Sequence, residues 1–213
     1  MQAGILPVKR LSIANHRLSE DFGPEDRLAL ARALLEDALI LCLATDFLAW
    51  SVVTEDPEVA SSAVAAGLAV VEDPGSGLNV ALETAIEKVL EAGADSVVVV
   101  PVDVPLATAE DLHDLVDTGV TSDVVLVPSR SDGGTNGLFL NPPNALRPQF
   151  GPASLSSHVK EAEAAGLRCS ILDLPRLGLD VDTAKDARDV SLEEEASGAT
   201  VRLLKHLLAS QQS

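Results

Sequence analysis

The 213-residue chain reads as an α/β protein with a mostly parallel central sheet and helices on both faces, folded as one domain over residues 1–213. Three observations predict this class. Apolar bursts alternate with helical patterns from end to end, as in a succession of βαβ units. The strand candidates include continuous valine runs such as SVVVV and DVVLV, which suit strands buried on both faces. Hydrophobic residues make up 46% of the chain, enough for a sizeable core, and no linker rich in Pro, Gly or Ser divides it.

The elements follow in order. AGILPV is the first strand, and the spacing of Leu30, Leu34, Ala38 and Leu41 predicts a helix from Pro24 to near Leu43. WSVVT is a second strand, DPEVASSAVAAG a short helix and GLAVVED a third strand. In LNVALETAIEKVLEAG, Leu78, Leu82, Ala85, Ile86, Val89 and Leu90 share one face, and Gly93 is placed to cap the end. SVVVV is the next strand, TAEDLHDLVDTG a helix capped by Thr108, and DVVLV another strand. GLFLNP reads as a strand, LSSHVKEAEAAG as a helix, and RCSILDL as a strand pairing antiparallel near an edge. TVRLLKHLLAS, with its helix over residues 199–210, carries an apolar stripe of Val201, Leu204, Leu207 and Leu208. That stripe suits packing on the domain or on the second subunit of a homodimer.

Composition narrows the function. Net charge is −18, with 33 acidic against 15 basic residues, and 2% of residues are aromatic. A nucleic-acid partner is not expected, because neither a basic footprint nor a stacking platform is present. No apolar run is long enough to span a bilayer, and MQAGILPVKR does not resemble a secretory leader, so a cytoplasmic protein without a membrane partner is expected. Cys42 and Cys169 lack metal or redox spacing and are expected to be core thiols.

Ligands of open α/β sheets bind outside the carboxyl ends of the strands, so residues just after strands are the candidates. In SVVVVPVDVPLAT, Asp103 occupies such a position between Pro101 and Pro105. It is either a hard oxygen ligand for a cation or a turn residue. GLDVDTAKDA places Asp180 and Asp182 two residues apart, on one face if the segment is extended. Paired carboxylates repel unless a cation or proton lies between them. Either Asp182 or Thr183 can cap the helix that follows, but a cap does not explain both aspartates. With Asp103 they would make a three-carboxylate site suited to a migrating phosphoryl or nucleotidyl group.

LPVKRLSIANHRLS clusters Lys9, Arg10 and Arg17 after the first strand, which suits a phosphate tail or plain surface charge. EDPGSGLNVAL puts Gly75 and Gly77 before a helix amino end, permitting close backbone approach. In SRSDGGTNGLFLNPP, Gly133, Gly134, Thr135 and Asn136 can cradle an anion. In FGPASLSSH, Gly151 shapes a turn, and Ser154 can cap a helix or donate to an anion. The four histidines are scattered and no nucleophilic triad is evident. A phosphate-oxygen nucleophile would need none.

Taken in order, LPVKRL…RLS, PGSGLNVAL, PVDVPL, GGTNGLFLNPP, FGPASLSSHVKEA and DVDTAKD resemble the CofC/FbiD family of guanylyltransferases of coenzyme F-420 biosynthesis. The resemblance implies a single-domain, Rossmann-like nucleotidyltransferase fold. It implies transfer of GMP from GTP to phosphoenolpyruvate or 2-phospho-L-lactate, with release of pyrophosphate and with Mg²⁺ as cofactor. It makes Asp103, Asp180 and Asp182 the metal ligands and, with Lys9, the catalytic residues; Lys9 and Arg17 would face phosphates, Arg17 as a nucleotide-binding residue. Thr135, Gly151 and Ser154 correspond to the acceptor pocket, and Gly77, Leu78 and Asn79 to the nucleoside side. Many relatives carry A-K-x-R-L where this chain has Ala14, Asn15, His16, Arg17 and Leu18, so Asn15 removes a positive charge. Two other readings are a nucleotidyltransferase for a molybdopterin or sugar phosphate, and a nucleotide-sensing module without turnover. The first lacks its glycine-rich opening here.

Overall fold

In the computed structural model, which describes residues 1–193 and 196–211, strands and helices alternate through most of the chain. The first half runs β1 (Gln2–Pro7), α1 (Pro24–Ala44), β2 (Ala49–Thr54), α2 (Pro57–Ala65), β3 (Ala69–Glu72), α3 (Leu78–Glu91) and β4 (Ser96–Val99). The second half runs α4 (Ala109–Thr118), β5 (Val124–Pro128), β6 (Thr135–Leu140), α5 (Ser154–Ala164), β7 (Cys169–Ile171), α6 (Ala184–Ser191) and α7 (Ala199–Ser210). The strands form one seven-stranded sheet in the order β3-β2-β1-β4-β6-β5-β7.

Strand β1 pairs parallel with β2 and β4, β2 with β3, and β5 with β7; β6 runs antiparallel to both β4 and β5. This corrects the antiparallel reading of RCSILDL, because β7 lies parallel to β5 on the edge. The physical reason is connection length. The short segment between β5 and β6 permits only a reversal, whereas α5 between β6 and β7 supplies a crossover that restores the direction.

Both faces of the central strands are buried, as their valine runs require. Leu6, Val52, Val98 and Val125 face α1, α2 and α4 on one side. Ile5, Val53, Val97, Val99 and Val124 face α3 and α5 on the other. Where β1 crosses Trp50 the chain needs Gly4, since a Cβ there would lie 2.4 Å from the indole ring. Thr108 caps α4 in a capping box with Asp111. At the end of α3, Gly93 at φ 83° turns the chain, and the Ala94 amide returns to the Val89 carbonyl at 2.9 Å.

Helix α1 carries apolar residues on two sides. Ala31, Leu35 and Ala38 pack toward the sheet, whereas Leu30 and Leu34 join a third cluster with Val190, Val201 and Leu204. The stripe of α7 therefore rests on α1 and α6 of its own chain, with Leu207 and Leu208 packed at the margin of that cluster. No residue of α7 caps its amino end. Asp37 of α1 does so instead, accepting from the Ala199 and Thr200 amides at 2.7 and 2.8 Å. No helix among the described residues is long and apolar enough to cross a membrane.

This cap gives a stability test. Asp37→Ala strips two charge-assisted bonds from the α7 amino end and is expected to destabilise the fold by about 1–2 kcal/mol. Urea unfolding checks it, and a change within error would show that α7 is held by its apolar stripe alone.

Candidate active site

Strand β1 has β2 on one side and β4 on the other, so the chain leaves the sheet in opposite directions and a crevice opens at its carboxyl edge. Lys9 follows β1 and Asp103 follows β4, both at this edge. The cleft there measures about 380 Å³. Lys9, Arg17, Leu78, Asp103, Thr135, Gly151, Ser154, Asp180 and Asp182 all line it, although they come from widely separated parts of the sequence. Gly77 lines a smaller cavity of about 160 Å³ that shares Pro7, Val8, Lys9, Ile13 and Leu78 with the cleft.

The carboxylates are brought together by backbone. The Val181 amide donates to the Asp103 carbonyl at 2.9 Å, so Asp180 and Asp182 flank the strand exit. Asp180 is buried, and its Oδ1 accepts from Asn136 Nδ2 and Ser129 Oγ, each at 3.0 Å. Asp182 pairs with Arg17 across the cleft. It is not the cap of α6, since Thr183 fills that role in a capping box with Asp186.

Asp103 carries the least compensated charge. Burial first, and then the charges of Asp180 and Asp182, push its carboxyl up to about 7 against the opposing pull of Lys9. Asp182 is also raised, by burial first, with Asp180, Asp132 and Asp186 adding to it and Arg17 working against it. Crowded carboxylates that favour a proton will also favour a cation, and an oxygen-only donor set fits hard Mg²⁺. Among the described residues, however, no three His, Cys, Asp or Glu side chains converge as a complete metal cage. Mg²⁺ commonly takes one or two carboxylates and completes its shell with water and substrate phosphates, so this partial set remains chemically suitable.

The opposite wall is built from β6 and α5. Pairing of β5 with β6 slips after Val127 with Gly137, so that Pro128 meets Thr135 and Asn136 is an extra residue. Neighbouring strand residues ordinarily point to opposite faces, but this bulge lets Thr135 and Asn136 both line the cleft. Gly133 at φ 72° and Gly151 at φ 136° occupy backbone space that side chains rarely adopt. Ser154 is the first residue of α5 rather than its cap, which is Ala153. Its hydroxyl donates to Thr135 Oγ1 at 3.1 Å.

Two predicted neighbours of the site are committed elsewhere. Asn79 does not line the cleft: its side chain donates to the Phe150 carbonyl at 3.1 Å and accepts from the Phe150 amide at 2.7 Å. It thereby fastens α3 to the loop that carries Gly151. Arg10 pairs with Glu55 at 2.9 Å. Asn15, at φ 55°, lines the cleft between two short 3-10 turns, Leu11–Ile13 and His16–Leu18.

The sequence reading missed Ser129 and His158. Ser129 carries no motif and is brought to Asp180 only by the fold. His158 had a signal, since it follows Ser154 by four residues in a helical pattern and so shares its face. It is fully buried.

Comparison with known proteins agrees with this architecture. Residues 2–210 match the family described as "Guanylyl transferase CofC like". The phosphoenolpyruvate guanylyltransferase of Sphaerobacter thermophilus is 36% identical over 92% of this chain and 93% of its own. The 2-phospho-L-lactate guanylyltransferase of Methanothermobacter thermautotrophicus is 36% identical over 94% of this chain and 89% of its own. Among solved structures, a candidate nucleotide-diphospho-sugar transferase from Desulfovibrio desulfuricans G20 superposes with a TM-score of 0.78 at 17% identity, covering 98% of this chain and 95% of that one. A nucleotidyl transferase from Methanothermobacter thermautotrophicus superposes with a TM-score of 0.63 at 15% identity, covering 99% of both chains. At those identities the structural likeness bears on the fold.

The crowding at Asp103 has a pH signature. Between its ordinary value of 3.8 and about 7, the folded carboxyl keeps a proton that the unfolded one has released. Stability from this group is fully present below the lower value and is lost as pH rises to the upper one. In metal-free buffer, the stability of Asp103→Asn relative to the parent should therefore grow from about pH 4 to 7 and then level off, by roughly 2–4 kcal/mol. Urea titrations across that range read it, and a difference independent of pH would mean that Asp103 is not crowded.

Proposed function

The chain belongs to the CofC-like guanylyl transferase family, and from that premise we propose that it transfers GMP from GTP to phosphoenolpyruvate or 2-phospho-L-lactate in coenzyme F-420 biosynthesis. Pyrophosphate is released, and the reaction takes place in the cytoplasm. One observation carries the reading: a single cleft holds an acidic wall at Asp103, Asp180 and Asp182 and an anion-suited wall at Thr135, Gly151 and Ser154, with Lys9 and Arg17 beside them. That arrangement supports two anionic substrates meeting at one edge of the sheet.

The acceptor's phosphate oxygen attacks the α-phosphorus of GTP. A new P–O bond forms, the bond from the α-phosphorus to the bridging oxygen of the β-phosphate breaks, and the electron pair leaves on pyrophosphate. The nucleophile is already an anion, so no side chain has to remove a proton. One or two of Asp103, Asp180 and Asp182 would hold Mg²⁺, with water and substrate phosphates completing its shell, and the ion when bound would neutralise charge on those phosphates. Ser129 and Asn136 keep Asp180 oriented through its Oδ1. Lys9 supplies positive charge beside the strand exit, and Arg17 is close enough to exchange Asp182 for a phosphate oxygen. Thr135 and Ser154 orient the acceptor. Acceleration then comes from positioning and electrostatics.

Purified protein with GTP, Mg²⁺ and each acceptor in turn should release pyrophosphate with at least one acceptor, and chelation of Mg²⁺ should abolish the release. No release with either acceptor would sink the assignment. Asp103→Asn and Asp182→Asn should each lower kcat by about 10³-fold or more while circular dichroism stays unchanged. Near-normal turnover in either variant would remove that residue from the proposed ligand set. Thr135→Val should raise the acceptor KM about ten-fold and leave the GTP KM unaltered. The reverse pattern would move the GGTN loop to the nucleotide side.

A further inference from the structure

His158 lies one helical turn after Ser154 on α5 and is 0% exposed. Its two ring nitrogens have different partners. The backbone amide of Gln149 donates to Nε2 at 2.9 Å, so Nε2 presents its lone pair. In a neutral imidazole the proton must then sit on Nδ1. Burial favours the neutral ring, lowering its pKa below the ordinary imidazole value against the opposing charge of Glu161.

Nδ1 is 3.2 Å from Thr135 Oγ1, so the Nδ1–H donates to that hydroxyl. Ser154 Oγ donates to the same oxygen at 3.1 Å. A threonine hydroxyl has two acceptor lone pairs and one O–H. With both lone pairs occupied, the remaining function of Thr135 is to donate, and Thr135 lines the cleft. We infer that His158 is a positioning residue that holds the Thr135 hydroxyl as a donor toward an anionic oxygen, carboxylate or phosphate, of the three-carbon acceptor.

The geometry accounts for why a fully buried histidine stands here. A serine or threonine at position 135 facing only solvent and substrate could present either its proton or a lone pair. A donor behind it removes that ambiguity before substrate arrives, and preorganised donors are the ones that favour a bound anion. His158 also meets Phe150 edge to face at 5.5 Å between ring centroids, and Gln149 and Phe150 lead directly into Gly151. The same ring thus anchors the loop on the acceptor side of the cleft.

The inference rests on the assignment of Thr135 to the acceptor, and two conservative variants separate it from that assignment. His158→Asn keeps an N–H at the Nδ1 position, whereas His158→Gln keeps an acceptor within reach of the Gln149 amide but has no donor at the δ position. His158→Gln should raise the acceptor KM about ten-fold with the GTP KM unchanged, and His158→Asn should stay within about three-fold of the parent. In a Thr135→Val background, His158→Gln should add less than about two-fold, because its effect passes through the missing hydroxyl. Equal KM values for the two variants, an effect that persists with Thr135→Val, or a shift in the GTP KM instead would overturn the role of His158. If Thr135→Val alone spares the acceptor KM, it is the pocket assignment that fails.

Discussion

A backbone hydrogen bond from the Val181 amide to the Asp103 carbonyl ties the exit of β4 to the segment that carries Asp180 and Asp182, so that three carboxylates gather at one edge of the sheet. The repulsion this creates is the constraint that the surrounding side chains answer, and each carboxylate is answered differently. Asp180 receives two neutral donors, Asn136 and Ser129. Asp182 receives the Arg17 guanidinium. Asp103 has a backbone hydrogen bond and the charge of Lys9, which together do not offset its burial and its two acidic neighbours. Two more anionic groups, a triphosphate and an acceptor phosphate, would be untenable beside it without added positive charge. The divalent cation proposed above would meet that requirement.

The overall charge of −18 does not bar anionic substrates from the cleft. Salt screening limits exposed charges to a range of roughly 8–10 Å, so the substrates respond to the cleft and much less to the far surface. Within the cleft the basic residues are few and directed. Lys9 lies at the exit of β1, and Arg17 reaches across to Asp182. Arg10, which looks equivalent to Lys9 in sequence, is turned away by Glu55. The loop after β1 therefore sorts its charges by local pairing, and Asn15 further thins the positive side.

Much of the fold was legible because buried strands and one-faced helices write their environment into local pattern. The valine runs gave the central strands, and Thr108 and Gly93 marked helix ends through the backbone geometry they serve. The direction of β7 was not legible, since its three residues carry no information about their partner and the order of the edge follows from connection length. Helix α1 was legible in its span but not in its burial of two faces, and the cap of α7 comes from Asp37, 162 residues away in sequence. In the site, the position of charged residues after strands was readable; Ser129 carried no motif, and the spacing of His158 from Ser154 gave its face and not its partners.

The reversal of β6 explains why the GGTN loop belongs to the cleft at all. In a sheet of strands running one way, the start of a strand lies at the edge remote from the ligand crevice. Because β6 runs against its neighbours, its first residues arrive beside the ends of β4 and β5. Reversal alone would deliver one side chain to the crevice, since the next would point to the other face. The extra residue at Asn136 removes that limit and sends Asn136 to Asp180 while Thr135 turns to Ser154 and His158. One antiparallel strand and one bulge thus join the acidic wall to the wall of Thr135 and Ser154.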